Sequence, residues 1–292
     1  MKKIFFLFAI MISGSVFSQQ ATIFKIKKYR VAELNEKIQE TSGLNIFNTK
    51  LYTFNDSGNT PEIFELDPKT GKMVSSFKIN AENKDWEALT NDGKNLYIGD
   101  FGNNAGTRKD LKIYQVSFSD NAVQNDSIKI IAFEYPEQND FSSKNGSTDF
   151  DAEAMIYLNG KIHLFTKEWS SKATSHYVID PETSGKQKAI KLEAFKTNFL
   201  VTDASYFDKK LYLIGYTKKT EVFLEIFNET KSGIFFNENP KRYFLGSALS
   251  IGQIEGIAVD ENGIYISGEK FRSPLGGEKQ SLYFIPKNKL KY

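Results

Sequence analysis

The chain has 292 residues, 38 basic against 36 acidic side chains, a formal charge of +2 and no cysteine. Without cysteine there is no disulfide framework, so stability must come from burial, which a chain of this length can supply. The near-neutral balance, with no basic stripe, excludes nucleic acid as a partner class.

Lys2 and Lys3 precede an apolar stretch from Ile4 to Phe17, and Ser18 supplies a small residue before Gln19 and Gln20. This order predicts a signal peptide over residues 1–18, one domain over 19–292, and a periplasmic or secreted destination. The stretch is short for a membrane span, and no cysteine follows it to carry a lipid. No membrane span is therefore expected after its removal. Next, ATIFKIKKYRV (21–31) reads as a strand that belongs to no repeat. VAELNEKIQET (31–41) is the one segment with the character of a short helix, and it reads as a linker to the first acidic motif.

From there a three-part unit is written five times. It opens on an acidic residue followed by small or apolar ones: Glu40 to Leu44 (ETSGL), then EAL from Glu87, EAM from Glu153, DAS from Asp203 and EGI from Glu255. An apolar strand follows, ending at Asp56, Asp100, Glu168, Tyr216 and Glu269. A third strand carries an aromatic, at Phe64, Tyr114, Tyr177, Phe227 and Tyr283. The opening acids are 47, 66, 50 and 52 positions apart, and the polar insertion Glu137 to Thr148 accounts for the long interval. Turn chemistry separates the strands: Asp67 to Gly71 and Asp180 to Gly185 carry Asp-Pro and a closing Gly. Asn91 to Gly93, Asn159-Gly160 and Glu261 to Gly263 supply hairpin turns. A period near fifty residues with several short strands predicts a β-propeller, all-β and five-bladed, with six blades as the alternative. The last unit lacks a fourth strand, and the N-terminal segment is expected to provide it and close the ring.

In such a ring the first strands line the central channel. Glu40, Glu87, Glu153, Asp203 and Glu255 are then expected to converge, and their mutual repulsion must be offset. Three remedies are open: a bound cation, basic neighbours, or protonation. Oxygen donors without His or Cys suit calcium, with Asp56 and Asp100 completing the expected metal set. Asn59, Asp85, Asn103 and Asn104 add further oxygens nearby. Lys167 and Lys270 supply the second remedy at two strand tips. Acids bonded to backbone amides of adjacent blades would give a purely structural ring, and a catalytic carboxylate pair is a further possibility. Trp86, Asn103, Asn104, Lys167 and Lys270 are the expected ligand-binding residues, with Tyr157, Trp169 and Tyr206 as aromatic candidates at a mouth. Only His163 and His176 could serve nucleophilic hydrolysis, and His163 lies in a strand where it could equally be a satisfied core residue. There is no G-x-S-x-G elbow, P-loop or dinucleotide fingerprint.

The acidic residue with Ala or Gly at each first strand, D-W-E at 85–87 and I-G-D-F-G-N-N at 98–104 resemble the phytase-like and SdiA-regulated propellers of the bacterial envelope. The resemblance spans roughly residues 22–292 and implies a five- or six-bladed ring and a link to calcium. Two functions follow. One is an exported binding or scaffold module, calcium-stabilised at the channel, for a small molecule or an envelope protein. The alternative is a metal-assisted hydrolase of phytase-like type, acting on a phosphoester, ester or lactone.

Overall fold

The computed structural model describes residues 20–119, 122–274 and 276–290. The expected signal peptide over 1–18 lies outside them. Five sheets, each with a four-stranded antiparallel body, follow one another along the chain, and short strands at Thr22–Ile23 and Gln187–Lys188 add parallel edges to two of them. Blade 1 is Thr41–Phe47, Lys50–Asn55, Glu62–Leu66 and Met73–Lys78. Blade 2 is Trp86–Asn91, Asn95–Asp100, Lys112–Ser119 and Lys129–Glu134. Blade 3 is Ala152–Leu158, Lys161–Thr166, Thr174–Ile179 and Ile190–Phe195. Blade 4 is Leu200–Phe207, Lys210–Tyr216, Glu221–Asn228 and Lys241–Ser247. Blade 5 is Gln253–Val259, Gly263–Glu269 and Ser281–Pro286, and its fourth strand is Arg30–Glu33 from the other end of the chain. First strands of neighbouring blades pack together around one axis. The protein is a five-bladed β-propeller.

Burial grades outward within each blade, as a ring of sheets requires. The first strands are buried along most of their length, whereas Met73–Lys78 alternates half-buried and exposed residues. Five apolar clusters hold the ring, and each straddles two blades. Phe54 meets Trp86 and Tyr114 between blades 1 and 2, and Phe133 meets Met155 and Tyr177 between blades 2 and 3. Phe165 meets Phe199 and Phe227 between blades 3 and 4, Ile214 meets Ile257 and Tyr283 between blades 4 and 5, and Leu282 meets Leu44 and Phe64 at the closure. The five third-strand aromatics of the repeat are thus interblade packing.

The turns follow their local chemistry. Asp67 accepts from Lys69 N (3.0 Å) and Thr70 N (2.7 Å), and Gly71 takes φ +66°. A Cβ at Gly71 would sit 2.8 Å from Ala32 Cβ in the closing strand, so this glycine also permits the closure. Asn159 and Gly160 adopt φ +53° and +77°, the left-handed pair a tight hairpin needs.

The N-terminus closes the ring as expected, with different boundaries. Arg30 pairs with Tyr283, and Ala32 and Glu33 with Leu282 and Ser281. The earlier part of the expected strand, Thr22–Ile23, instead lies parallel to Tyr243 and Phe244 on the rim of blade 4. The expected linker over 31–41 holds the end of the closing strand and a 3-10 turn at Glu36–Ile38, capped by Asn35. Insertion 137–148 is pinned rather than free: Lys144 N and Gly146 N donate to Ala105 O and Asn104 O, and Gln138 Nε2 donates to Gly106 O. No helix among the described residues is long and apolar enough to cross a membrane.

Leu282 pairs with the closing strand and fills the cluster joining blades 5 and 1. Leu282→Ala is expected to cost about 2–5 kcal/mol in urea denaturation. A cost below about 1 kcal/mol would mean that the closure contributes little to the fold.

Candidate functional site

Each first strand carries one β-bulge, at the same place in all five blades. The ladder skips Gly43 between Ser42 and Leu44, Glu87 between Trp86 and Ala88, and Glu153 between Ala152 and Ala154. It skips Thr202 between Val201 and Asp203, and Glu255 between Ile254 and Gly256. A bulge leaves one residue out of the ladder and re-aims its side chain. The equivalent positions are therefore Gly43, Glu87, Glu153, Thr202 and Glu255. This corrects the expected set at two blades, where an acid close in sequence was aligned in place of the true equivalent.

Glu40 lies three residues earlier, at the rim, where its Oε2 accepts from Asn59 Nδ2 (2.6 Å). Asp203 follows its bulge and is completely buried. It accepts from the backbone N–H of Ile257 (2.7 Å), Ala204 (2.8 Å) and Leu44 (3.3 Å). One carboxylate so ties blades 4, 5 and 1 across the axis, the backbone-satisfied role considered from the sequence. Asp100 also leaves the expected metal set, because it is spent on Arg108 Nη2 (3.0 Å) and Lys112 Nζ (3.3 Å).

The remaining acids gather at the upper mouth, where second strands end and first strands begin. Asp56, Asp85 and Glu87 each offer an oxygen within 4.8 Å of the others. Two backbone donors fix the loop above Asp85: Phe101 N and Gly102 N bond to Asp85 O at 3.1 and 3.2 Å. Gly102 roofs the cluster, and a Cβ there would lie 2.4 Å from Glu87 Oε1 and 2.5 Å from Asp85 Oδ2. Only glycine leaves both carboxylates in place. On the far side Lys167 Nζ stands 3.1 Å from Glu153 Oε1, with the rings of Trp169 and Tyr216 at 5.1 and 5.6 Å. Gln253 Nε2 bridges Glu255 Oε1 (2.7 Å) and Glu269 Oε1 (2.5 Å).

Burial raises these carboxyls, and their mutual repulsion adds to it. Asp85 is pushed up to about 6 by burial and by Asp56 and Asp151, and Glu255 to about 7 by burial against the pull of Lys167. Glu269 reaches about 9 through burial and Glu255. Glu87 and Glu153 are driven well above the usual range by burial, with Glu153 and Asp56 acting on Glu87. Burial opposes the charge of Lys167, but Glu153, Tyr216, Glu255 and Glu87 outweigh it and hold the ammonium charged. One lysine faces many acids. Lys270 does not help, since its ammonium turns to Gln39 Oε1 (2.7 Å).

Other expected residues have structural duties. Trp86 is fully buried, donates to Glu82 O (2.9 Å), and reaches no ligand surface. Asn103 is saturated by Phe150 O, Arg108 N and Asp151. Asn104, half-buried, anchors the insertion through its backbone carbonyl. Tyr157 and Tyr206 line the opposite, lower mouth. His163 and His176 sit inside blade 3 in a chain to Glu193, with ring nitrogens 2.7 Å apart and His176 Nδ1 3.0 Å from Glu193 Oε1. Burial and His176 push His163 down to about 4. Asp151 was missed; it accepts from Trp169 Nε1 (2.8 Å) behind Glu153. The signal was present as D-x-E, written at Asp85/Glu87 and again at Asp151/Glu153.

Asp56, Asp85 and Glu87 could hold a hard cation. All three donors are carboxylate oxygens, and oxygens about 2.3–2.6 Å from one ion lie at most about 5 Å apart, the spread found for Asp56, Asp85 and Glu87.

No family model matches the chain, and no curated protein matches it. Among solved structures it is similar to the glutaminyl cyclase of Myxococcus xanthus at 12% identity and TM-score 0.49, over 88% of this chain and 96% of that one. It is also similar to the hydrazine synthase of Kuenenia stuttgartiensis at 12% identity and TM-score 0.42, over 85% and 63% of the two chains. A third likeness is to the Dos1 propeller at 14% identity and TM-score 0.38, over 85% and 58%. The blade count rests on the strand pairings themselves.

Carboxyls held above their ordinary range keep protons in the folded state that the unfolded chain releases. Their contribution is complete below about pH 4 and is lost as pH rises through the folded values of about 6, 7 and 9. The melting temperature in EDTA is therefore expected to fall steadily from pH 5 to 9. A flat profile over that range would show that the mouth is not desolvated.

Proposed function

We propose that the protein is an exported propeller that binds calcium at its upper channel mouth and uses that mouth as a binding face for a small molecule or an envelope protein. The observation that carries the reading is the triad of Asp56, Asp85 and Glu87 beneath Gly102, three carboxylates converging where a side chain would collide with them. The ion would be held by these three residues and would supply the positive charge that Lys167 alone cannot. Export is supported by Lys2, Lys3 and the apolar run from Ile4 to Phe17. Kinship with the phytase-like and SdiA-regulated propellers belongs to the same proposal, supported by the D-W-E and I-G-D-F-G-N-N segments that build this mouth. A hydrolytic role has less support, because the two histidines are internal to blade 3 and stand beside no nucleophile at the mouth.

Calcium at about a hundredfold excess over its Kd should add about 2.7 kcal/mol to the fold. For a chain of this size that is a rise of several degrees in Tm. EDTA should remove the rise, and Glu87→Gln should abolish the response while leaving a folded protein, because it replaces a carboxyl with a neutral isostere. An unchanged Tm with calcium and EDTA would remove the cation from the account.

A further inference from the structure

The insertion 137–148, the one large departure from the repeat, builds a second site on the outer flank of blade 2. Together with residues 108, 109, 111, 133–135 and 186 it lines a cavity of about 190 Å³. The floor is apolar and belongs to the core: Leu111, Phe133 and Tyr135 are all buried. Phe141 from the insertion makes one wall, and Gln138 is tied down by its bond to Gly106 O. The insertion is therefore a fixed wall, held at Ala105 and Asn104 as well.

The rim is cationic, and its charges are unequally committed. Arg108 is spent on Asp100 and Asp110. Lys186 pairs with Glu134, the single acid of the lining, at 2.8 Å, and donates to Lys109 O at 3.1 Å. Lys109 has no carboxylate within ion-pair distance among the described residues, and its ammonium stands 4.7 Å from the centre of the Phe141 ring. An apolar floor, an aromatic wall and an uncommitted ammonium form one amphipathic pocket. Its volume lies below the roughly 300–1,000 Å³ of drug-sized pockets, which limits the apolar body of a ligand to about one ring.

We propose that this pocket binds a small organic carboxylate with an apolar body, such as an aryl or branched-chain acid. The body lies on Leu111, Phe133 and Phe141, and the carboxylate takes a charge-assisted bond from Lys109. A cationic ligand would meet the charge of Lys109 with no free acid to receive it, since Glu134 is paired with Lys186. A neutral one would gain no charge-assisted bond from Lys109. The site is separate from the channel cation and does not depend on it.

Benzoate and its neutral isostere benzamide are titrated by calorimetry or ligand-observed NMR into the full chain in EDTA, which keeps the channel out of the measurement. Benzoate should bind saturably and benzamide about tenfold or more weakly, the difference of one charge-assisted contact. Lys109→Met should weaken benzoate about tenfold and leave benzamide unchanged, while Phe141→Ala should weaken both. Lys109 is exposed and Phe141 half-buried, so both variants are expected to fold. No saturable benzoate binding below about 10 mM, equal affinity for the two probes, or indifference to Lys109→Met would each overturn the proposal.

Discussion

A carboxylate near the axis of a closed ring of strands must find a partner there, because packed first strands leave little water to solvate it. The five bulges set where this requirement falls. Each frees one residue from its ladder, and three of the five freed residues are Glu87, Glu153 and Glu255. The other two are Gly43 and Thr202, and Thr202 is itself satisfied by Ile254 O at 2.8 Å. Bulge carboxylates therefore come from three blades, and Asp56, just past the second strand of blade 1, adds a fourth side. Asp203, one residue past its bulge, shows the opposite solution: three backbone N–H groups satisfy it without any counter-ion. A carboxylate is thus a backbone clamp in one blade, an ion pair with Lys167 in another, and crowded against other acids at Asp56, Asp85 and Glu87.

That asymmetry gives the channel two unlike ends. The upper mouth holds the acids, Lys167 and the rings of Trp169 and Tyr216. The lower mouth is a cavity of about 200 Å³ lined by neutral side chains from all five blades, among them Asn45, Thr90, Tyr157, Ser205 and Val259. There the polar groups knit blades together: Tyr157 N donates to Thr90 Oγ1 and Val259 N to Ser205 Oγ, each at 3.1 Å. The lower end is satisfied by its own bonds, while the upper end calls for positive charge from outside. This difference is why the proposed cation site lies at the upper mouth.

The architecture was legible in the sequence because blade period, turn residues and third-strand aromatics each carry an independent signal. The ring closure was legible too, since the last unit lacked a strand. What the repeat did not carry was register. Glu40 and Asp203 match the acidic pattern by composition, but a bulge shifts the true equivalents to Gly43 and Thr202, and neither resembles an acid. Asp100 ends its strand like the other tips, yet Arg108 and Lys112, eight and twelve residues on, capture it. Trp86 sat in the densest motif and proved to be core, since a large aromatic beside a bulge can turn either way. The Lys167 and Glu153 pair joins a strand tip to a bulge, a contact that only the folded register reveals.

The central claim is that acids crowded at the upper mouth retain protons until a divalent cation displaces them. Calorimetric titration of calcium into the metal-free protein near pH 7, repeated in two buffers of different ionisation heat, counts the protons released. The account predicts saturable binding with a clear net release of protons, lost in Glu87→Gln. Binding with no proton release, or no binding at all, would contradict it.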